Sequence, residues 1–196
     1  MPNTASGIID VVRQELDWSG QSDSQVLDIL NRRQMRLMRH HDFSWLERAT
    51  TQTLATATGA GYLTFSQATD VKAIHALYYV ENNKRVPIAY IDFFEALTVY
   101  SDSTTAGKPE KFSEYQDTVF IFPRANSALS LERYEYRFLP DLTLTASNNF
   151  VSLAYDALLH GVKAEHYLVQ GEDAKAEVEQ KLEADAVKSI LDYHVR

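Results

Sequence analysis

Apolar residues recur at helical spacing near both ends of this chain and switch to alternation in the middle. The spacing predicts a short helix over Ser6 to Leu16, with Ile8, Ile9, Val12 and Leu16 along one face. A break at Trp18-Ser19-Gly20 follows. Ser22 and Gln25 then supply the Ser-x-x-Gln capping box that satisfies exposed amides at a helix start. That helix is expected to run to about His41 and to bury Val26, Leu27, Leu30, Leu37 and Met38.

From Trp45 the period becomes two. Ala49 to Ala57 reads as a Thr-rich strand closed by Gly59-Ala60-Gly61, and Tyr62 to Phe65 reads as a second. Val71 to Val80 is expected to place Val71, Ala73, His75, Leu77 and Tyr79 on one face. Glu81-Asn82-Asn83-Lys84 is a hairpin turn that returns the chain through Arg85 to Tyr90. Asp92 is positioned to cap a short helix over Phe93 to Tyr100, and Ser101 to Pro109 has loop composition. Val119 to Phe122, stopped by Pro123, and Leu129 to Phe138, stopped by Pro140, are expected to pair through the polar connection Arg124-Ala125-Asn126-Ser127. The total is roughly six strands, enough for a small sandwich or open barrel.

Helical spacing returns over Thr145 to Val169, with Phe150, Leu153, Ala154, Ala157, Leu158 and Val162 on one side. Gly171 breaks it. Glu172 to His194 continues as a helix whose apolar stripe, Val178, Leu182 and Ile190, is thin, with Leu191 and Tyr193 beside it near the end. So narrow a stripe suits docking onto another surface better than burial in the chain's own core. The expected fold class is therefore α+β. N- and C-terminal helices form a bundle, with an inserted, mainly antiparallel β domain. The divisions are helices over 1–45, β-rich domain over 46–143, a long helix over 144–171 packing with the N-terminal helices, and a docking helix or tail over 172–196.

Composition narrows the function. The chain has 196 residues, 45% of them apolar, enough for one real core or two small ones. It has no cysteine, which removes disulfides, thiolate metal sites and cysteine nucleophiles. With no secretory signal and only strand-length apolar runs, it is expected to be made in the cytosol, to stay soluble and to have no membrane partner. The net charge is −8, from 27 acidic and 19 basic residues, opposite to that of a protein built to grip phosphates. A negative wall does, however, let a polyanion slide past without sticking.

Candidate chemistry is sparse. His40 and His41 are adjacent on a helix and point about 100° apart, so they cannot share a metal. His160 and His166, six apart, are also poorly matched. No His-Glu-x-x-His pattern, phosphate loop or nucleophile elbow occurs. The pairs Glu132 with Glu135 and Glu177 with Glu179 have acid/base composition but sit at alternating or solvated positions. No catalytic residue, cofactor or metal is assigned. The alternation of Tyr134, Tyr136 and Phe138 has the ordinary reading of a core or interface stripe. The suggestive charge feature is Arg32, Arg33, Arg36 and Arg39. Positions 32, 36 and 39 share one helix face. A solvated face is the ordinary reading. The sharper one is contact with DNA phosphate or with an acidic neighbouring subunit, such as the C-terminal helix of an identical copy.

Four stretches together resemble the head-to-tail adaptor (connector) proteins of tailed bacteriophages. They are Arg39-His40-His41-Asp42-Phe43-Ser44-Trp45 before the Thr-rich strand; Gly61-Tyr62-Leu63-Thr64-Phe65 leading into Val71-Lys72-Ala73-Ile74; Gly107-Lys108-Pro109-Glu110-Lys111-Phe112 before Val119-Phe120-Ile121-Phe122-Pro123; and Leu129 to Tyr136 with Leu139-Pro140-Asp141-Leu142-Thr143 before an Ala-rich helix. The resemblance spans roughly residues 22–170. It implies a non-enzymatic virion protein that forms a dodecameric ring beneath the portal. The ring would extend the DNA channel without binding DNA specifically and give the next tail component (tube, nozzle or gatekeeper) a platform. It also implies that the C-terminal helix reaches toward the portal, loosely held until portal grooves order it. On that basis Arg32, Arg36, Arg39, Val178, Leu182, Ile190, Leu191 and Tyr193 are the expected subunit or portal contacts. A tail-tube or tail-completion protein is the alternative within the virion, and a nucleic-acid-binding module using the arginine stripe is the alternative from another class.

Overall fold

Turn and cap chemistry sets the element boundaries. A computed structural model of the protein describes residues 4–16, 18, 20–54, 61–100, 106–146 and 148–194. In chain order its helices are α1 (Ala5–Leu16), α2 (Asp23–His40), α3 (Phe93–Val99), α4 (Asn149–Leu153), α5 (Tyr155–Val169) and α6 (Asp173–His194). Its strands are β1 (Glu47–Leu54), β2 (Leu63–Ser66), β3 (Val71–Glu81), β4 (Lys84–Tyr90), β5 (Ala106–Gly107), β6 (Lys111–Tyr115), β7 (Thr118–Phe122), β8 (Arg124–Ala125) and β9 (Leu129–Arg137). Terminal helices thus flank a mainly antiparallel sheet in the sequence, the α+β arrangement expected. The chain divides into a helical unit, Met1–Ser44 with Phe138–Arg196, and a β unit, Trp45–Arg137.

In the helical unit the capping box at α2 forms as read. The Ser22 amide donates to Gln25 Oε1 at 2.8 Å, and the Gln25 amide donates to Ser22 Oγ at 3.4 Å. The buried face of α2 is Val26, Ile29, Leu30, Leu37 and Met38, with Arg33 and Gln34 between. Leu27 is only half-buried, and Ile29 takes its place. Helix α5 contacts α1, α2, α4 and α6, and accordingly buries Ala157, Leu158, Gly161, Val162 and Ala164. The segment before α4 is clamped to α2 by polar side chains. Asn31 Nδ2 donates to the Leu142 carbonyl at 3.2 Å and Asn31 Oδ1 accepts from the Leu142 amide at 2.6 Å. Gln34, fully buried, donates to the Pro140 carbonyl at 3.1 Å and accepts from Asn148 Nδ2 at 2.9 Å. Each of these side-chain amides, Gln34 buried and Asn31 and Asn148 half-buried, finds a partner.

The continuous helix expected over Thr145 to Val169 is two helices. Asn148 caps the first by accepting from the Val151 amide, and Ala154, at φ −115° and ψ 26°, steps out of helical geometry. The step buries Phe150 and Val151, with Phe150 edge-on to Phe43 at 5.5 Å, and turns Leu153 outward.

In the β unit, seven strands form one sheet in the order β1-β9-β3-β4-β6-β7-β2, and β5 and β8 form a short parallel pair. All neighbours in the large sheet are antiparallel except β4 and β6, whose parallel junction needs a crossover, supplied in part by α3. One core draws on both edge strands, Leu54 of β1 and Leu63 and Phe65 of β2, together with Ile74, Leu77, Ile88, Phe112, Val119, Ile121 and Leu131. Edges at opposite ends of the order can share a core only if the sheet curls. The result is a half-barrel, in keeping with the open-barrel expectation.

Three local readings change. Val119–Phe122 and Leu129–Arg137 do not pair with each other: β7 lies between β6 and β2, whereas β9 lies between β1 and β3. The missing link is β6, which the loop-like composition before it hid. The predicted inward face of β3 is also out of phase. Register shifts between Val71 and Ala73 and between Ile74 and Ala76 insert extra residues, so Ile74 joins Leu77 and Tyr79 inside while His75 turns out. The connection after Pro123 contains β8. The expected strand end at Ala57 lies outside the described residues. The hairpin turn holds, with Asn82 and Asn83 both at positive φ (51° and 59°), the geometry asparagine tolerates.

Candidate interaction surface

The arginines of α2 separate into a buried one and an exposed row. Arg33 is 6% exposed. Its Nε donates to Glu165 of α5 at 3.2 Å, and its Nη1 donates to Glu183 of α6 at 3.4 Å. Close approach of α6 is possible because position 161 has no side chain: a methyl there would stand 2.7 Å from Glu183 Oε1. Burial pushes the Glu183 carboxyl up from its ordinary value, against the pull of Arg33, Arg36 and His160. Of the remaining arginines, Arg32 is exposed and pairs with Glu165 at 2.6 Å, while Arg36 and Arg39 are exposed and enter no ion pair among the described residues. They line a groove of about 680 Å³ with Arg32, Met35, His40, Asp28, Asn31 and Asp141.

Helix α6 lies along α5 through a seam of Ala176 and Val187, and His160 Nδ1 meets Glu179 Oε2 at 2.6 Å. The predicted stripe is split. Val178 (58% exposed), Leu182 (40%) and Tyr193 (77%) face outward. Ile190 and Leu191 are half-buried, and Leu191 shares with Arg36, His40 and Val187 a cleft of about 720 Å³ between α2 and α6. The structure therefore brings Arg36 and Leu191 together and leaves Val178, Leu182 and Tyr193 as a separate face.

A second outward surface carries none of the expected subunit or portal contact residues. Asp92 caps α3 by accepting from the Phe94 and Glu95 amides at 2.9 and 3.2 Å. The helix buries Ala96 but exposes Phe94 (64%), Leu97 (39%) and Val99 (60%), with Tyr90 (60%) and Tyr115 (38%) on the flanking strands. Phe93 stacks on Tyr115 at 4.5 Å and Phe94 meets the same ring edge-on at 5.8 Å, so the aromatics are one connected group. The available signal was arithmetic: Phe93, Phe94, Leu97 and Val99 spread round a seven-residue helix that has one side to bury.

Of the carboxylates considered as catalytic, Glu132, Glu135 and Glu179 have structural partners, and Glu177 is exposed. Glu132 pairs with Arg85, and Glu135 lies between Arg133 and Arg137. His166 is buried against Trp18 at 4.5 Å, and its imidazole is held below its ordinary value by that burial. No group of three or more metal-ligating side chains occurs among the described residues, and no described helix is long and apolar enough to cross a membrane.

What this molecule offers other molecules is surface: a basic groove, an apolar helix face and an aromatic patch, each outward. Such a combination marks an assembly component. The chain belongs to the SU10 adaptor protein family, whose model matches residues 3–195, and is thus a phage adaptor, a structural component of the virion. No curated protein matches it.

Proposed function

We propose that this adaptor assembles as a ring beneath the portal, continues the DNA channel, and presents a platform to the next tail component. The observation that carries the reading is the outward row Val178, Leu182 and Tyr193 on α6, exposed at 58%, 40% and 77%. The expectation of a loosely held helix is revised, because α6 already lies along α5; portal grooves would bind its outward face, and docking need order little of the backbone. Leu191 on the cleft side and half-buried Ile190 beside it adjoin the row, and Arg32, Arg36 and Arg39 supply a charged contact to a neighbouring subunit or to the portal. The net charge of −8 suits a channel wall past which DNA moves without specific binding.

Light scattering of the protein alone, and then mixed with portal rings of the same virus, tests this. Co-migration with portal is expected, and Val178→Ser/Leu182→Ser/Tyr193→Ser should abolish it while leaving helix content unchanged. A triple variant that still joins the portal would remove the docking face. Wild-type protein that ignores portal but joins another tail protein would establish a tail-completion component instead.

A further inference from the structure

We infer that the aromatic face of α3 on one copy of this chain seats in the arginine groove of α2 on the next copy. The inference rests on the ring reading above and names the two surfaces that would meet. Head-to-tail rings need two different complementary patches on one chain, because each subunit must offer one to each neighbour.

The α3 patch has an apolar centre and an acidic rim. Phe94, Leu97 and Val99 project from the helix, with Tyr115 against Phe94. Asp92 and Glu95 stand exposed on the same helix start. Glu110 lies close enough to the α3 C-cap to push the Tyr100 hydroxyl upward, adding to the effect of burial, and exposed Asp117 follows Tyr115 in the next turn. Lys111 is alongside, half-buried. The α2 groove is the converse: concave, with half-buried Met35 among exposed Arg32, Arg36 and Arg39, and with Asp28 and Asp141 as its acidic members. An apolar knob rimmed by carboxylates thus matches a groove whose three guanidinium groups outnumber its two carboxylates. The other acidic surface, α6, fits less well. Glu179 and Glu183 are engaged by His160 and Arg33, and exposed Lys175, Lys181 and Lys188 dilute the rest.

The cysteine-free sequence permits a clean test. Leu97→Cys and Met35→Cys variants of the full chain are mixed with portal rings and oxidised. A disulfide between the two variants should form several-fold faster than either homodimer or the pairing of Leu97→Cys with Val178→Cys. The charge reversals Glu95→Arg and Arg36→Glu should each weaken ring formation, and combining them should restore it. A cross-link no faster than the controls, from protein that still co-sediments with portal, overturns this contact and leaves the adaptor reading intact. The cross-link without co-sedimentation upholds the contact and overturns portal binding, and loss of both overturns both.

Discussion

Glu135 shows what a single charge does in a half-barrel. It is fully buried on β9, accepts from Thr50 Oγ1 at 3.0 Å and from Arg137 Nε at 2.7 Å, and stands 3.3 Å from Arg133 Nε. Arg133 in turn lies 5.0 Å over the Phe65 ring, an edge-strand residue. Removing the carboxylate strands a buried guanidinium, so Glu135→Ala should cost about 3–5 kcal/mol by urea unfolding. The exposed Arg85–Glu132 pair is the contrast, and Arg85→Ala should leave the midpoint unmoved. Equal effects of the two substitutions would refute the role given to burial. His166 gives a pH-dependent counterpart. Burial lowers its folded-state value, so the unfolded chain takes up the proton first as pH falls. Its contribution is fully present above the ordinary histidine value near 6.5 and is lost below it. Between pH 7.5 and 5.5 the wild type should therefore lose more stability than His166→Gln does; parallel curves would contradict this.

Element boundaries in this chain were legible where one residue's chemistry decides them. Ser22, Asp92, Asn82-Asn83 and Gly171 each end or start an element at the expected place, because a cap or a positive φ is a local requirement. Asp92→Ala should consequently cost about 1 kcal/mol and loosen α3, read as faster amide exchange at Phe94 and Glu95. Unchanged exchange there would show that packing, and not the cap, holds the helix. Partners in the sheet were not legible. That β9 lies between β1 and β3 is decided by the curled core, and the bulges in β3 that turn His75 out leave no composition signal. The surfaces were half legible. The α6 row reads as a stripe, but its buried seam is Ala176 and Val187, and alanine does not announce a contact. Gly161 is the hidden requirement of that seam. Gly161→Leu should lift α6 locally and raise its amide exchange while the β unit stays unaffected; protection unchanged along α6 would mean the helix is held elsewhere.

At the scale of the whole chain, the β unit is one uninterrupted segment, while the helical unit is assembled from both ends. All described members of the β core cluster fall between Leu54 and Leu131, inside the β unit. The charged set on β9 is equally self-contained, since Arg133, Glu135, Arg137, Thr50 and Asp70 all lie inside 45–137. A segment of this size buries enough of its surface to fold alone. The excised piece 45–137 should therefore unfold in one cooperative urea transition with the far-ultraviolet spectrum of antiparallel sheet. It should also keep the sensitivity to Glu135→Ala seen in the full chain. A non-cooperative transition would mean that the helices complete the core after all, and that the β domain is not an independent insertion. If the piece folds, the aromatic face of α3 can be presented without the arginine groove of α2. It should then act as a soluble cap that competes with full-length chains for ring growth, because it offers one complementary surface and lacks the other. Adding the folded segment in excess to a mixture of protein and portal should lower the number of chains per portal. Unchanged stoichiometry would show that neighbouring adaptors meet through other surfaces.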